Sequence, residues 1–280
     1  MPELPEIETI RQGLAPHLEG RRLRRVDVRR GDLRIPVPQD FAERTENRRV
    51  TRLSRRGKYL LMALDDSAVI IAHLGMSGRL VLAKQEADGR GRHDHLIFET
   101  EDRARIVFND PRRFGLFTIT ELSGLESHPL LAEMGPEPLD PAFDATALSA
   151  TLQSRNTSIK TTLLDQRVVA GIGNIYACEA LFRAGISPRR KAKGIVGCRA
   201  ERLVMALKQV LGEAIEAGGS SLRDHRRPDG ELGYFQHSFA VYGREGKPCP
   251  GCDCCTDKTG GIRRLVQSGR STFCCLRRQQ

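Results

Sequence analysis

The sequence predicts a multidomain α+β chain: an N-terminal β-sandwich with a leading helix, then a helical domain, then a C-terminal zinc ribbon. Three patterns predict it. Apolar residues recur at helical spacing in 4–18 and again from 148 to 215, whereas the stretch from Arg21 to about Leu122 breaks into short β-branched and aliphatic runs. Six of the eight cysteines lie in residues 241–280. At 280 residues the chain also exceeds the usual size of one domain.

Leu4, Ile7, Ile10, Leu14 and Leu18 share one helical stripe, and Gly20 ends it. YLLMAL at 59–64, AVIIAHL at 68–74, HLIFE at 95–99 and ARIVF at 104–108 read as strands, many and short, as in a sandwich or barrel. GPEPLDP at 135–141 is proline-rich and reads as a linker at a domain boundary. Beyond it, Leu148 and Leu152, Ile159 and Leu163, Ile175 to Phe182, and Leu203 to Ile215 trace helices. GIGN at 171–174 suits either a plain interhelical turn or a helix start whose N–H groups bind a phosphate. The polar stretch 218–237 has no period and reads as a long loop, a class rich in functional lids.

With 45 Lys and Arg against 35 Asp and Glu, the formal charge is +10, which suits a polyanionic partner. Residues 241–280 hold eight of those bases and three acids, a net of +5. No apolar run approaches the ~20 residues that span a bilayer, so no membrane partner is expected. Glu3, Glu6 and Glu8 stand where a secretory signal needs a basic start, so a cytoplasmic location is expected. Clustered thiols in such a chain favour metal ligation over disulfides. Cys178 and Cys198 fall in helical patterns and are expected in the core.

Both ends carry candidate chemistry. Removal of Met1 from MPELPE would leave Pro2 as a terminal secondary amine beside the Glu3 carboxylate. A terminal amine has a pKa of about 8 against about 10.4 for lysine, so more of it is unprotonated and able to form a Schiff base. Pro2 could equally just precede a helix, where proline is tolerated. At the other end, Cys249 and Cys252 form a C-x-x-C knuckle to which Cys274 and Cys275 return. The spacing resembles a zinc ribbon, the alternative being unliganded thiols. SGRSTF would then lie at a hairpin tip, with Arg270 either aimed at a ligand or solvated.

With MPELPE at one end and GRSTF at the other, the chain resembles the formamidopyrimidine-DNA glycosylase family. RRGKYLL (55–61), HLGMSG (73–78), HDH (93–95), NDPRRFG (109–115), GPEPL (135–139) and GIGNIYA (171–177) extend the match from end to end. The resemblance implies a catalytic β-sandwich domain (1–134), a helix–two-turn–helix DNA-binding domain with a lesion-side loop at 218–237 (135–238), and a zinc-finger hairpin (239–280). It implies a monomer that acts on double-stranded DNA containing oxidised bases and associates with the nucleoid. Pro2 would attack C1′ of the damaged nucleotide, Glu3 would relay protons, Lys58 would assist near C1′, and Arg270 would grip the flanking phosphate. Met76, Arg112 and Phe114 would fill the hole left by the extruded base. His93, Arg155 and Asn174 would contact phosphates. The reaction implied is removal of oxidised purines followed by β,δ-elimination of the strand.

One end of the match departs from the family. The position expected to hold the fourth cysteine is Arg278, while Cys254 and Cys255 stand in an extended loop after the knuckle. Successive strand side chains point to opposite faces, so Cys274 and Cys275 should not both ligate without a bulge. The expected zinc set is therefore Cys249, Cys252, Cys255 and Cys275. Competing readings are an endonuclease VIII-like enzyme for oxidised pyrimidines and a non-catalytic zinc-ribbon DNA-binding protein.

Overall fold

The computed structural model describes residues 2–83, 91–220, 228, 232–253 and 256–280. By internal contact the chain divides into two compact units, Met1–Ala132 with Ala217–Gln236, and Glu133–Glu216 with His237–Gln280.

In the first unit, helix α1 (Leu4–Leu18) follows the predicted stripe, and Leu4, Ile7, Ile10, Leu14 and Leu18 are all buried. A capping box starts it: the Glu6 carboxylate accepts the Glu3 N–H at 2.8 Å while the Glu3 carboxylate accepts the Glu6 N–H. Eight strands follow: β1 (Leu23–Val28), β2 (Val50–Arg56), β3 (Tyr59–Leu64), β4 (Ala68–His73), β5 (Arg79–Leu82), β6 (Asp94–Thr100), β7 (Arg105–Asn109) and β8 (Leu116–Glu121). A short helix α2 (Phe41–Thr45) lies between β1 and β2. The strands pair antiparallel into two four-stranded sheets, β1-β6-β7-β5 and β2-β3-β4-β8. Phe98, Ile106 and Phe108 of one sheet share a core with Met62, Ile70 and Phe117 of the other and with Ile7, Ile10 and Leu14. The predicted sandwich and its leading helix are therefore present.

The second unit contains α3 (Ala145–Leu152), α4 (Ile159–Leu163), α5 (Asn174–Arg183) and α6 (Cys198–Glu216). Asp144 caps α3 through the Ala147 N–H, and Ser158 caps α4 through the Thr161 N–H. GPEPLDP is not a free linker. The Gly135 N–H donates to Gln166 O at 2.8 Å and the Ala170 N–H to Pro136 O at 3.0 Å. A Cβ at position 135 would stand 2.6 Å from Arg167 O, so glycine is needed for that approach. Cys178 is buried as expected, but Cys198 is exposed, because it begins α6 where the first turn meets solvent. Half of the predicted loop at 218–237 lies outside the described residues. Its start is held in the first unit by Ser220, which bridges Tyr234.

The C-terminal segment adds a short helix α7 (Thr256–Thr259) and a hairpin of β9 (Arg263–Gln267) and β10 (Arg270–Cys274). Ser268 and Gly269 both have positive φ, 48° and 72°, the backbone of a tight primed turn that matches strand twist. Val241, Ile262 and Cys275 pack on Cys178 and Phe182 of α5. The entry to this segment is fixed by Glu179, fully buried on α5, whose carboxylate accepts the N–H groups of Ala240, Val241 and Tyr242 at 2.8–3.0 Å. Glu179→Ala strands three backbone donors, so it should cost about 3 kcal/mol or more, and Glu179→Gln should cost less. Chemical denaturation with amide exchange at 240–242 reads this out; unchanged protection in the Ala variant would contradict it.

Candidate functional site

The predicted catalytic residues of the first unit lie at the start of α1 and on the turn of the β2–β3 hairpin, which an ion pair links to that helix. Pro2 and Glu3 are both buried at the helix start. Glu6, one turn on, uses both carboxylate oxygens: Oε2 takes the Glu3 N–H, and Oε1 takes the Ser220 N–H and hydroxyl at 2.8 and 2.9 Å. The backbone carrying Pro2 is thus tied to the segment that begins the 218–237 stretch. Lys58 follows Gly57, whose φ of 55° turns the β2–β3 hairpin. It is 6% exposed, so it is not a solvated strand lysine. Three residues earlier Arg55 reaches Glu8 of α1 at 3.5 Å, which fastens this hairpin to the helix. Burial alone would raise the Glu8 pKa, but hydrogen bonds and charge from Arg11, with Arg55 and Gln12, leave it lowered.

Met76, Arg112 and Phe114 are exposed on two loops that meet closely. Gly75 has φ +64°, and a Cβ there would fall 2.3 Å from the Phe114 carbonyl carbon. Both loops converge on Asp110, which is fully buried. Its Oδ1 accepts the Ser77 hydroxyl at 2.6 Å and the Arg112 N–H at 3.3 Å, and its Oδ2 accepts the Gly115 N–H at 2.8 Å. The Arg112 guanidinium lies 4.5 Å over the Phe114 ring, a cation–π stack. His93 is half-buried and joins the same cluster, since its carbonyl accepts the Asp110 N–H at 2.9 Å.

In the second unit the hairpin bearing Arg270 is docked on the helices. Ser271 O, next to the exposed Arg270, accepts from Asn174 Nδ2 at 2.9 Å and from the buried Lys160 Nζ at 3.2 Å. Gln267 Nε2 donates to Ser158 Oγ and Pro188 O. Asn174 is the first residue of α5, capped by Gly173, so GIGN is a helix start. Arg155 donates to Asp165 at 3.0 Å. The hydrogen bond from Arg167, with further donation from the Arg167 N–H and Arg155, holds Asp165 down to about 2. Arg155 keeps guanidinium donors beyond that pair.

The Sγ atoms of Cys249, Cys252 and Cys275 lie within 4.8 Å of one another, a cluster that could hold a metal ion. Burial, reinforced by the two neighbouring thiols, pushes the Cys249 thiol up to about 12. Three thiolates are therefore accommodated there only beside a cation. Cys274 is buried apart from this cluster, as strand alternation predicts. Cys255, the expected fourth ligand, lies outside the described residues. Arg278 holds the knuckle from outside: its Nη1 donates to Gly251 O at 2.8 Å, and its guanidinium stacks 5.0 Å from the Phe182 ring.

The formamidopyrimidine-DNA glycosylase N-terminal domain family matches residues 1–117, and the formamidopyrimidine-DNA glycosylase H2TH domain family matches residues 134–226. The formamidopyrimidine-DNA glycosylase of Rhodospirillum rubrum is 59% identical over 281 residues, with all of both chains covered. The chain belongs to the formamidopyrimidine-DNA glycosylase family. The family enzyme of Roseobacter denitrificans is 52% identical over the full length of both chains. Among solved structures, the MutM (Fpg) protein from Thermus thermophilus superposes with TM-score 0.87 at 42% identity, covering 99% of this chain and 98% of that one. Lactococcus lactis Fpg, in a complex with DNA containing an abasic site, matches at TM-score 0.89 and 30% identity, with 99% of each chain covered.

Several supporting residues in this family member escape sequence reasoning. Glu179 shares a face with Ile175 and Phe182, and a charge on an apolar stripe was the available signal. Glu6 stands three residues after Glu3, the capping-box spacing. Asp110 lies among arginines in NDPRRFG, where a surface ion pair is the plain expectation, and nothing local marks Lys160 as buried.

His73, on β4 below the loop of Met76, is 8% exposed, and its Nδ1 accepts the Gly75 N–H at 2.9 Å. Burial, with the charges of Lys58 and Arg34, lowers its pKa from 6.5 to about 4. The unfolded chain therefore binds a proton that the folded one refuses, so stability falls as pH drops from 6.5 to about 4 and is unaffected by this group above 6.5. The loss should total about 3 kcal/mol. His73→Asn keeps an acceptor for Gly75 but does not titrate, so its urea midpoint should fall less over that window. Parallel pH profiles for the two proteins would refute the assignment.

Proposed function

We propose that this protein is a base-excision-repair DNA glycosylase that removes oxidised purines, such as 8-oxoguanine and formamidopyrimidines, and then cleaves the abasic strand through a Pro2 imine. The observation that carries the reading is the setting of Pro2: it is buried beside Glu3 at the start of a capped helix, in a chain that matches the family throughout its length. Met1 is removed in this account. The freed Pro2 nitrogen attacks C1′, the C1′–base bond breaks, and the departing base takes a proton. Opening of the sugar ring gives an iminium that acidifies the 2′ hydrogen. Its loss expels the 3′ phosphate, and a second elimination expels the 5′ phosphate.

Glu3 serves as the proton relay, held by the backbone adjacent to the nucleophile. Lys58, buried at its hairpin turn, assists near C1′. Arg270 grips the flanking phosphate, positioned by the grip of Asn174 and Lys160 on Ser271 O. Met76 and Phe114 replace the stacking of the extruded base, and Arg112 donates to the orphaned partner. His93, Arg155 and Asn174 contact phosphates, Arg155 through the donors that Asp165 leaves over. Lactococcus lactis Fpg has been solved in a complex with abasic-site DNA, and a mutant of it in a complex with Fapy-dG DNA, which supports the ligand class.

Zinc fits the cysteine cluster, because three converging thiols form a soft donor set near tetrahedral reach. Cys249, Cys252 and Cys275 would hold it with Cys255. The ion would cross-link the knuckle to the return strand and so stiffen the hairpin that carries Arg270.

Borohydride should trap a covalent adduct between the protein and a duplex with 8-oxoguanine opposite cytosine, and intact mass should show a chain lacking Met1. Pro2→Gly should reduce trapping to background; trapping equal to wild type would remove Pro2 from its role.

Elemental analysis should find a single zinc per chain. Cys249→Ser should lose the metal, hairpin amide protection and strand cleavage together. Cys255→Ser should weaken zinc retention against a chelator, and retention equal to wild type would exclude Cys255 as a ligand.

A further inference from the structure

The loop between α5 and α6 carries Arg189, Arg190, Lys191 and Lys193, four side chains with no part in the site described above. These four side chains line an open cleft of about 630 Å³ together with Ser187, Gly194, Leu276, Gln279 and Gln280. No acidic side chain lines it, and none of the four cations forms an ion pair among the described residues. The Arg190 Nε is buried without a hydrogen-bond partner. Like charges held this close repel one another, and a bound anion removes that repulsion.

The strip is also built in. The Lys193 N–H donates to Arg155 O at 3.0 Å and the Ala192 N–H to Thr157 O at 2.9 Å, while Lys191 bridges Ser158. Pro188 O accepts from Gln267 of the Arg270 hairpin. The cations are thus a rigid continuation of the backbone that carries Arg155 and steadies Arg270.

We infer that Arg189, Lys191 and Lys193 bind the phosphate backbone of duplex DNA beyond the footprint of the damaged nucleotide, an inference that rests on the repair reading above. A track of this kind would add sequence-independent affinity and hold the enzyme on undamaged DNA as it moves along the helix.

The test compares the full-length wild type with the triple variant Arg189→Gln, Lys191→Gln, Lys193→Gln. Each is titrated against undamaged duplexes of about one and about three helical turns over a range of salt. Three lost phosphate contacts should flatten the slope of log affinity against log salt by about 2.7 on the long duplex only. Over a fourfold rise in salt the wild type should therefore lose roughly 40-fold more affinity than the variant. The charge-conserving variant Arg189→Lys, Lys191→Arg, Lys193→Arg should behave as wild type, which excludes misfolding as the cause. Identical slopes for wild type and the Gln variant on the long duplex would overturn the inference, as would an equal change on both lengths. Borohydride trapping on a short lesion duplex, done in parallel, reports the repair reading separately: if trapping succeeds and the slopes do not differ, only the track is lost.

Discussion

Most of the side chains proposed to act in this protein sit on turns, loops and element ends, where backbone N–H groups have no partner within their own element. That constraint organises both units. The chain answers it with buried carboxylates, each collecting several donors. Glu6 takes three from Glu3 and Ser220, Asp110 takes three from Ser77, Arg112 and Gly115, and Glu179 takes three from 240–242. Each anchor serves a different piece of proposed chemistry: the nucleophile's helix, the base-replacing loops, and the segment leading to the cysteine knuckle. A buried carboxylate is costly unless fully hydrogen-bonded, so each of these loops has one arrangement in which its anchor is satisfied.

The elements that bury a regular stripe were legible in the sequence. Helix α1 and strands β3, β4, β6 and β7 fall where their periodicity places them, because each presents an apolar face to one core. Strands β1 and β2 were hidden by their charge and by a register shift in each: LRRVDV fully buries only Leu23 and Val26, and VTRLSRR only Val50 and Leu53, so neither shows a period of two. GPEPLDP does lie beside the division between the units, at 132/133, but prolines announce irregular backbone and not whether it is docked, and docking here depends on contacts with 166–170 far along the chain. The candidate site was legible by motif and not by physics. Lys58 and Lys160 show the limit, because nothing in their neighbours tells that a lysine will be buried.

The C-terminal segment combines two ways of closing a small structure with little core. The three clustered thiols can share a metal, and the residue found where a fourth cysteine was expected does different work. Arg278 donates to Gly251 O and, at 3.4 Å, to Phe182 O, joining the knuckle to α5. Gln279 adds to this through bonds to the Cys275 N–H and Ile186 O. Arg278 and Gln279 thus fasten the base of the hairpin to the helices through bonds that use no thiol.

The Asp110 anchor separates shape from identity. It grips its loops through two backbone N–H groups and one serine hydroxyl, and no hydrogen bond to it involves the side chain of Met76, Arg112 or Phe114. Those three positions can therefore exchange one side chain for another while the loops keep their course. A substitution at any of them leaves the anchor in place, whereas replacing the aspartate removes all three hydrogen bonds at once.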